Sequence, residues 1–178
     1  MSVALVALAF IAVAAPAASQ EASASNLCLT GEATVLVGEV EDDFGLSVGV
    51  CTSGEEENRT VTIRWSGEGG GDSVSCRAQD CEGTIEYSRY TSAHLTILQL
   101  AWRKGDSVQR LYQTLERADL DTPAQATTQH SWQPSGLTAE QALTYPVVSD
   151  ADPLALMQLE AVIEVRSSTA PLLAKPQS

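Results

Sequence analysis

Thr60-Val61-Thr62-Ile63-Arg64-Trp65 sets Val61, Ile63 and Trp65 on one side of the chain and Thr60, Thr62 and Arg64 on the other. A period of two is the signature of a β-strand with one face turned to a core, because successive side chains of an extended backbone point to opposite faces. Outward from it the same pattern recurs. Thr34-Val35-Leu36-Val37-Gly38-Glu39-Val40 and Leu46-Ser47-Val48-Gly49-Val50-Cys51 precede it, rich in the β-branched residues that suit a pleated surface. Residues 74–77 and 84–90 follow as two short strands. His94-Leu95-Thr96-Ile97-Leu98-Gln99-Leu100-Ala101-Trp102 is the most apolar stretch after the first two dozen residues and does not alternate strictly. That predicts a strand covered on both faces, at the centre of the core.

The intervals between these runs set the rest of the architecture. Gly67-Glu68-Gly69-Gly70-Gly71-Asp72 reads as a flexible connection, since consecutive glycines lose most backbone freedom on ordering. Val108, Leu111, Tyr112 and Leu115 fit the helical template, but the Gly105-Asp106 turn directly after a strong strand favours a hairpin partner, and the hairpin is preferred. Residues 118–136 are polar and read as a long loop. Thr138-Ala-Glu-Gln141 resembles a capping box opening a helix to about Thr144, and Asp152-Pro153 caps a second, with Leu154, Met157 and Ala161 on one face. The expected fold is mainly β: a small antiparallel sandwich or open barrel with one or two short C-terminal helices. Residues 25–166 form its single domain, and the Pro-containing tail 167–178 is expected to be disordered.

Residues 3–15 are small and apolar throughout, long enough for the core of a secretory signal and short of the ~20 residues that span a bilayer. Residues 1–24 are therefore read as a signal peptide, although Met1-Ser2 lacks the usual positive charge. An even set of cysteines, Cys28, Cys51, Cys76 and Cys81, behind an export signal reads as disulfides. The favoured pairs are Cys28 with Cys51 and Cys76 with Cys81, each bracketing a hairpin or tight loop. Zinc is the competing reading, but an oxidising compartment works against four free thiolates. The expected location is periplasmic or secreted.

Twenty-three acidic against ten basic residues leave a net charge of −13. Nucleic acid is excluded as a partner, because neutralising phosphates needs patches of Lys and Arg. The charge keeps an exported protein soluble; where it selects a partner, that partner is a cationic protein or a cell-envelope component. No motif calls for a cofactor or a metal, and no G-x-S-x-G turn offers a nucleophile. Among chemistry-bearing residues only His130, in Gln129-His130-Ser131-Trp132, attracts a functional reading, together with Trp132, an aromatic placed in the presumed loop where it can anchor a partner. Trp65 and Trp102 fit a core, and His94 a strand end. The acidic clusters around residues 39–43, 55–57 and 150–152 have no calcium-loop spacing and read as solvated, edge-protecting charge.

The order Cys28-Leu-Thr-Gly31, Val48-Gly-Val-Cys51, Thr62-Ile-Arg-Trp65, then Leu98-Gln-Leu-Ala-Trp-Arg-Lys-Gly-Asp106 and Leu111-Tyr112, resembles a group of uncharacterised exported bacterial β-rich proteins with paired cysteines, over residues 28–115. Trp102-Arg-Lys-Gly-Asp106 is also similar to a W-x-K-G segment of small periplasmic lysozyme inhibitors, β-barrels carrying a disulfide. This chain lacks their closely spaced Ser and Lys, so no inhibitory residue carries over. The resulting expectation is a monomeric, non-enzymatic binding module with an acidic surface, touching membrane only through its signal peptide. The competing expectation is a small secreted hydrolase using His130 with a carboxylate such as Glu140 or Asp150.

Overall fold

The computed structural model describes residues 27–167, except 43, 56–57, 69, 79, 82, 118–122 and 164. Residues 1–26, with the expected signal peptide, and residues 168–178 lie outside the described residues. Ten strands are found among those described: β1 (Ala33–Val40), β2 (Ser47–Ser53), β3 (Thr60–Gly67), β4 (Gly70–Arg77), β5 (Ile85–Thr91), β6 (Leu95–Lys104), β7 (Ser107–Glu116), β8 (Gln125–Gln133), β9 (Leu143–Val148) and β10 (Val165–Ser167). They form one sheet in the order β10-β5-β6-β7-β8-β9-β1-β2-β3-β4. Every pairing is antiparallel except that of β10 with β5.

The sheet curls onto itself. β3 and β6 are six places apart in the strand order, yet Trp65 of β3 and Trp102 of β6 bring their rings to 6.0 Å. β9 makes the corner: Leu143 to Pro146 pair with β8, and Val147 and Val148 pair with β1. Closure stops short of a ladder between β4 and the β5–β10 edge, so the fold is an open barrel, mainly β as expected. Leu36, Val50, Ile63, Leu98, Leu100 and Leu111 fill its interior, all of them buried. Val61, Ile63 and Trp65 are buried together, as their alternation requires, and β6 is covered on both faces through Ile97–Trp102. β7 is a strand, paired residue for residue with β6 across the Gly105-Asp106 turn. Ten cross-strand pairs and a core-facing Leu111 outweigh its incidental helical spacing.

Five expectations are corrected. The glycine run is not a flexible connection: Gly67 and Gly70 pair across a tight hairpin, and Gly71 pairs with Ser66. Glycine is needed there because Gly70 holds φ at +100° and a Cβ on Gly71 would meet the Trp65 carbonyl oxygen at 3.1 Å. Residues 125–133, read as loop, are β8, hydrogen-bonded on both edges to β7 and β9. Backbone pairing on both sides stabilises a strand whose side chains are mostly Thr and Gln, which is why composition hid it. The capping box at Thr138 closes only a three-residue 3-10 turn, η1 (Ala139–Gln141), in which Gln141 accepts from the Thr138 N–H at 3.0 Å before β9 begins. The second helix, η2 (Ala155–Ala161), is 3-10 as well. Its buried residues are Ala155, Leu156 and Leu159, whereas Leu154 is only partly buried against the core, Met157 is 39% exposed and Ala161 is exposed. Ser167, placed at the start of the disordered tail, ends β10.

η2 plugs one end of the barrel. Gln113 of β7, fully buried, donates through Nε2 to the Asp152 carbonyl at 3.2 Å and accepts from the Leu156 N–H at 2.8 Å, so both ends of its amide are used. Glu160 binds Arg89 at 2.9 Å and takes the Tyr87 hydroxyl at 3.1 Å. Burial, with the Glu160 charge beside it, raises the Tyr87 pKa, so the phenol stays a donor.

The cysteines pair as expected, Cys28 with Cys51 and Cys76 with Cys81. The first bond fixes residues 27–32 over β2, together with a bidentate Arg64–Glu32 pair at 2.5 and 2.8 Å. The Arg64 guanidinium holds the Glu32 carboxyl below the usual range. Gly49 lets Leu27 lie on β2, since a Cβ there would stand 2.8 Å from Leu27 Cβ. Replacing Cys28 and Cys51 by Ser reopens a loop of 23 residues and lowers stability by about 3 kcal/mol. Urea unfolding of the variant checks this, and an unchanged midpoint would contradict it.

Candidate functional site

The end of the barrel opposite the η2 plug is open. A recess of about 280 Å³ lies there, with Trp65, Gln109 and His130 inside and Phe44, Trp132 and Tyr145 among its aromatic walls. The turn that carries Phe44 is built by Asp42, whose Oδ1 accepts from the N–H groups of Phe44 at 3.0 Å and Leu46 at 3.2 Å. Phe44 is thereby held 64% exposed, and Trp132 is 41% exposed near the end of β8. The expectation that Trp132 is an accessible aromatic, and Trp65 and Trp102 core residues, agrees with the structure.

His130 is not a loop histidine. It stands in the middle of β8, 3% exposed, its ring 6.0 Å from that of Trp102. The Nε2 atom lies 3.2 Å from Gln109 Oε1. Because that partner is an amide oxygen, Nε2 carries the hydrogen and Nδ1 is left with a lone pair. Nδ1 has no hydrogen-bond partner among the described residues and is itself closed to solvent. Burial pushes the His130 pKa down to about 4, against the smaller upward pull of the Asp42 carboxylate, so the ring is neutral near pH 7. Ser131 pairs in β8 and is buried. Glu140 and Asp150, the carboxylates of the hydrolase expectation, do not line the recess.

The rim is charged. Asp42 and Glu68 are anionic members of the lining, and Lys104 is its one cation among the described residues. Lys104 is already engaged: Nζ lies 3.3 Å from Asp72 Oδ2 and 5.1 Å from the Trp65 ring centroid. The Asp72 carboxyl sits below its usual range, first through the Ser73 N–H and then through Lys104.

A larger cleft, about 580 Å³, runs between β1 and residues 148–152, and Asp150 lines it. None of the buried unpartnered side-chain atoms of the described residues belongs to a residue that lines it. Cys28, Glu32 and Cys51 are the one grouping of metal-ligating residues found among those described. Their sulfurs are bonded to each other and the carboxylate to Arg64, so no donor is left for an ion.

Sequence reasoning missed Asp42, Phe44, Gln109, Lys104 and Tyr145. The Asp-Asp-Phe-Gly turn was a usable signal for the first two, since Asp favours such turns and a large aromatic beside it has little reason to be solvated. Gln109 gave none. Comparison with protein-family models, with curated proteins and with solved structures finds no match to this chain.

Proposed function

We propose that the protein is an exported binding module, periplasmic or secreted, whose open barrel mouth meets a cationic protein partner; an inhibitor of a basic enzyme such as lysozyme is its most specific version. The observation that carries the reading is the pair of exposed aromatics, Phe44 and Trp132, beside an acid-rimmed recess in a chain of net charge −13. Large exposed aromatics at a concave site are the usual energetic anchors of an interface, while the surrounding charge steers encounter. Two disulfides fit an oxidising compartment, and no helix of the described residues is long and apolar enough to cross a membrane. The placement of His130 suits recognition: its Nε2 is spent on Gln109 rather than on a carboxylate or a nucleophile.

Calorimetric titration of the mature protein with lysozyme tests this. Saturable binding is expected, weakening as salt rises from about 20 to 150 mM because the attraction is partly screened. Replacing Phe44 and Trp132 together by Ala is expected to weaken it by a factor of at least ten, about 1.4 kcal/mol. Absence of saturable binding at low salt overturns the cationic-partner reading. Binding indifferent to the double substitution moves the contact away from the barrel mouth.

A further inference from the structure

A second pocket, of about 260 Å³, lies on the outer wall of the barrel over β5, β6 and β7. We propose that it binds one carboxylate carried on a short hydrocarbon stem, held by Arg103 and Arg110. It is a site apart from the barrel mouth, with which it shares no lining residue, and it does not depend on what the mouth binds.

Register brings the two arginines together. Ala101 of β6 stands opposite Arg110 of β7, and Arg103 opposite Val108. Residues two apart on a strand share a face, so Arg103 and Arg110 are diagonal neighbours, a spacing that long side chains bridge to reach one ligand. Both line the pocket. Neither guanidinium has an ion-pair partner among the described residues, whereas Arg64, Arg89 and Lys104 are each held by a carboxylate. In a chain of net charge −13, two unpaired cations converging on one pocket mark it as a place for an anion.

Gln99 points independently to the same chemistry. It lies on that face two residues before Ala101, lines the pocket and is only 9% exposed. Its Oε1 is closed to solvent and has no hydrogen-bond partner among the described residues, which leaves the Nε2 group as the part of the amide that a ligand meets. That group donates and cannot accept, as is true of both guanidinium groups. Acceptor oxygens satisfy all three, and an ammonium satisfies none. Glu86, itself engaged, is the one carboxylate in the lining among the described residues. Two cations against one anion leave a single positive charge, which suits a monoanion; a dianion such as sulfate brings surplus negative charge beside Glu86. Ala101, Val108 and Ala139 supply apolar wall for the stem. The volume falls just below the ~300 Å³ at which ligand pockets ordinarily begin, so the stem is a few carbons long.

The test is ¹H–¹⁵N NMR of the mature protein titrated with butyrate, with n-butanol as its uncharged counterpart and sulfate as the dianion, all at constant ionic strength so that general screening does not vary. Butyrate is expected to shift the Gln99 side-chain amide along a saturable curve. Butanol is expected to bind about tenfold more weakly or worse, the ordinary loss of a hydrogen bond to a charged group. Sulfate is expected to bind more weakly than butyrate. Arg103→Gln and Arg110→Gln are each expected to weaken butyrate binding about tenfold on the same ground. Arg103 is exposed and Arg110 half-buried, so neither change touches the core, and unchanged backbone amide resonances away from the pocket verify that each variant is folded. Butyrate binding that survives both substitutions, equal binding of butanol, tighter binding of sulfate, or a Gln99 amide that butyrate leaves unmoved overturns the proposal.

Discussion

Trp102→Ala lowers the unfolding free energy by about 3–5 kcal/mol, the range for deleting a large aromatic from a packed interior. Trp102 is 1% exposed and lies between the rings of Trp65 and His130, 6.0 Å from each. It therefore ties β3 and β8 to β6 across the barrel. Its Nε1 has no hydrogen-bond partner among the described residues, so its contribution there comes from packing and burial. Against a total stability of roughly 5–15 kcal/mol, this one substitution brings the domain close to its unfolding threshold. Trp102→Phe keeps most of the ring contact and recovers more than half of the loss. Trp132→Ala, at the half-exposed mouth, costs less than about 1 kcal/mol. Urea unfolding followed by far-ultraviolet circular dichroism compares the three without relying on tryptophan emission. A loss for Trp102→Ala no larger than that for Trp132→Ala would mean that β3 and β6 do not face each other and the sheet is not curled.

Most of the barrel was legible because its strands declare themselves in side-chain pattern. Val61, Ile63 and Trp65 alternate with polar neighbours, β1 and β2 are rich in β-branched residues, and β6 is apolar on both faces. The disulfide pairing followed from the position of each pair around a turn. What stayed hidden depends on tertiary partners. β8 has almost no apolar pattern and owes its existence to β7 on one edge and β9 on the other. β4 begins on glycines that only a tight hairpin makes useful. η2 takes a three-residue repeat because it is wedged into the barrel end by Gln113, a constraint 43 residues away from Leu156.

The candidate site was half legible for the same reason. His130 and Trp132 stood out as the rare residue types in a polar segment, but the segment was placed in a loop. In a strand, neighbours in sequence fall on opposite faces, so Ser131 is separated from His130, and Gln109 of β7 becomes its partner instead. Nothing in the sequence spacing of 21 residues announces that contact. Net charge is a sum over the chain, but its placement is tertiary: among the described residues the one ammonium lining the mouth is held by Asp72, and Asp42 and Glu68 line the same recess.

His130 also imposes a pH dependence on the fold itself. Its folded pKa of about 4 lies below the ordinary histidine value of 6.5. Below pH 6.5 the unfolded chain takes up a proton that the folded protein refuses until pH is near 4, so stability falls with pH across that window and is fully present only above it. At 1.36 kcal/mol per unit the drop amounts to about 3 kcal/mol. Among the described residues the Asp42 carboxylate is the charged group that acts on the ring, Gln109 is its hydrogen-bond partner, and Glu68, Lys104 and Tyr145 line the same recess. Asp42 opposes the drop, and burial outweighs it. Unfolding of the wild type and of His130→Gln, measured in urea at pH 7 and pH 4.5, isolates the contribution, because the surface carboxylates titrate alike in both. The wild type is expected to lose about 2 to 3 kcal/mol more than the variant between the two pH values. Equal losses would place His130 in contact with water.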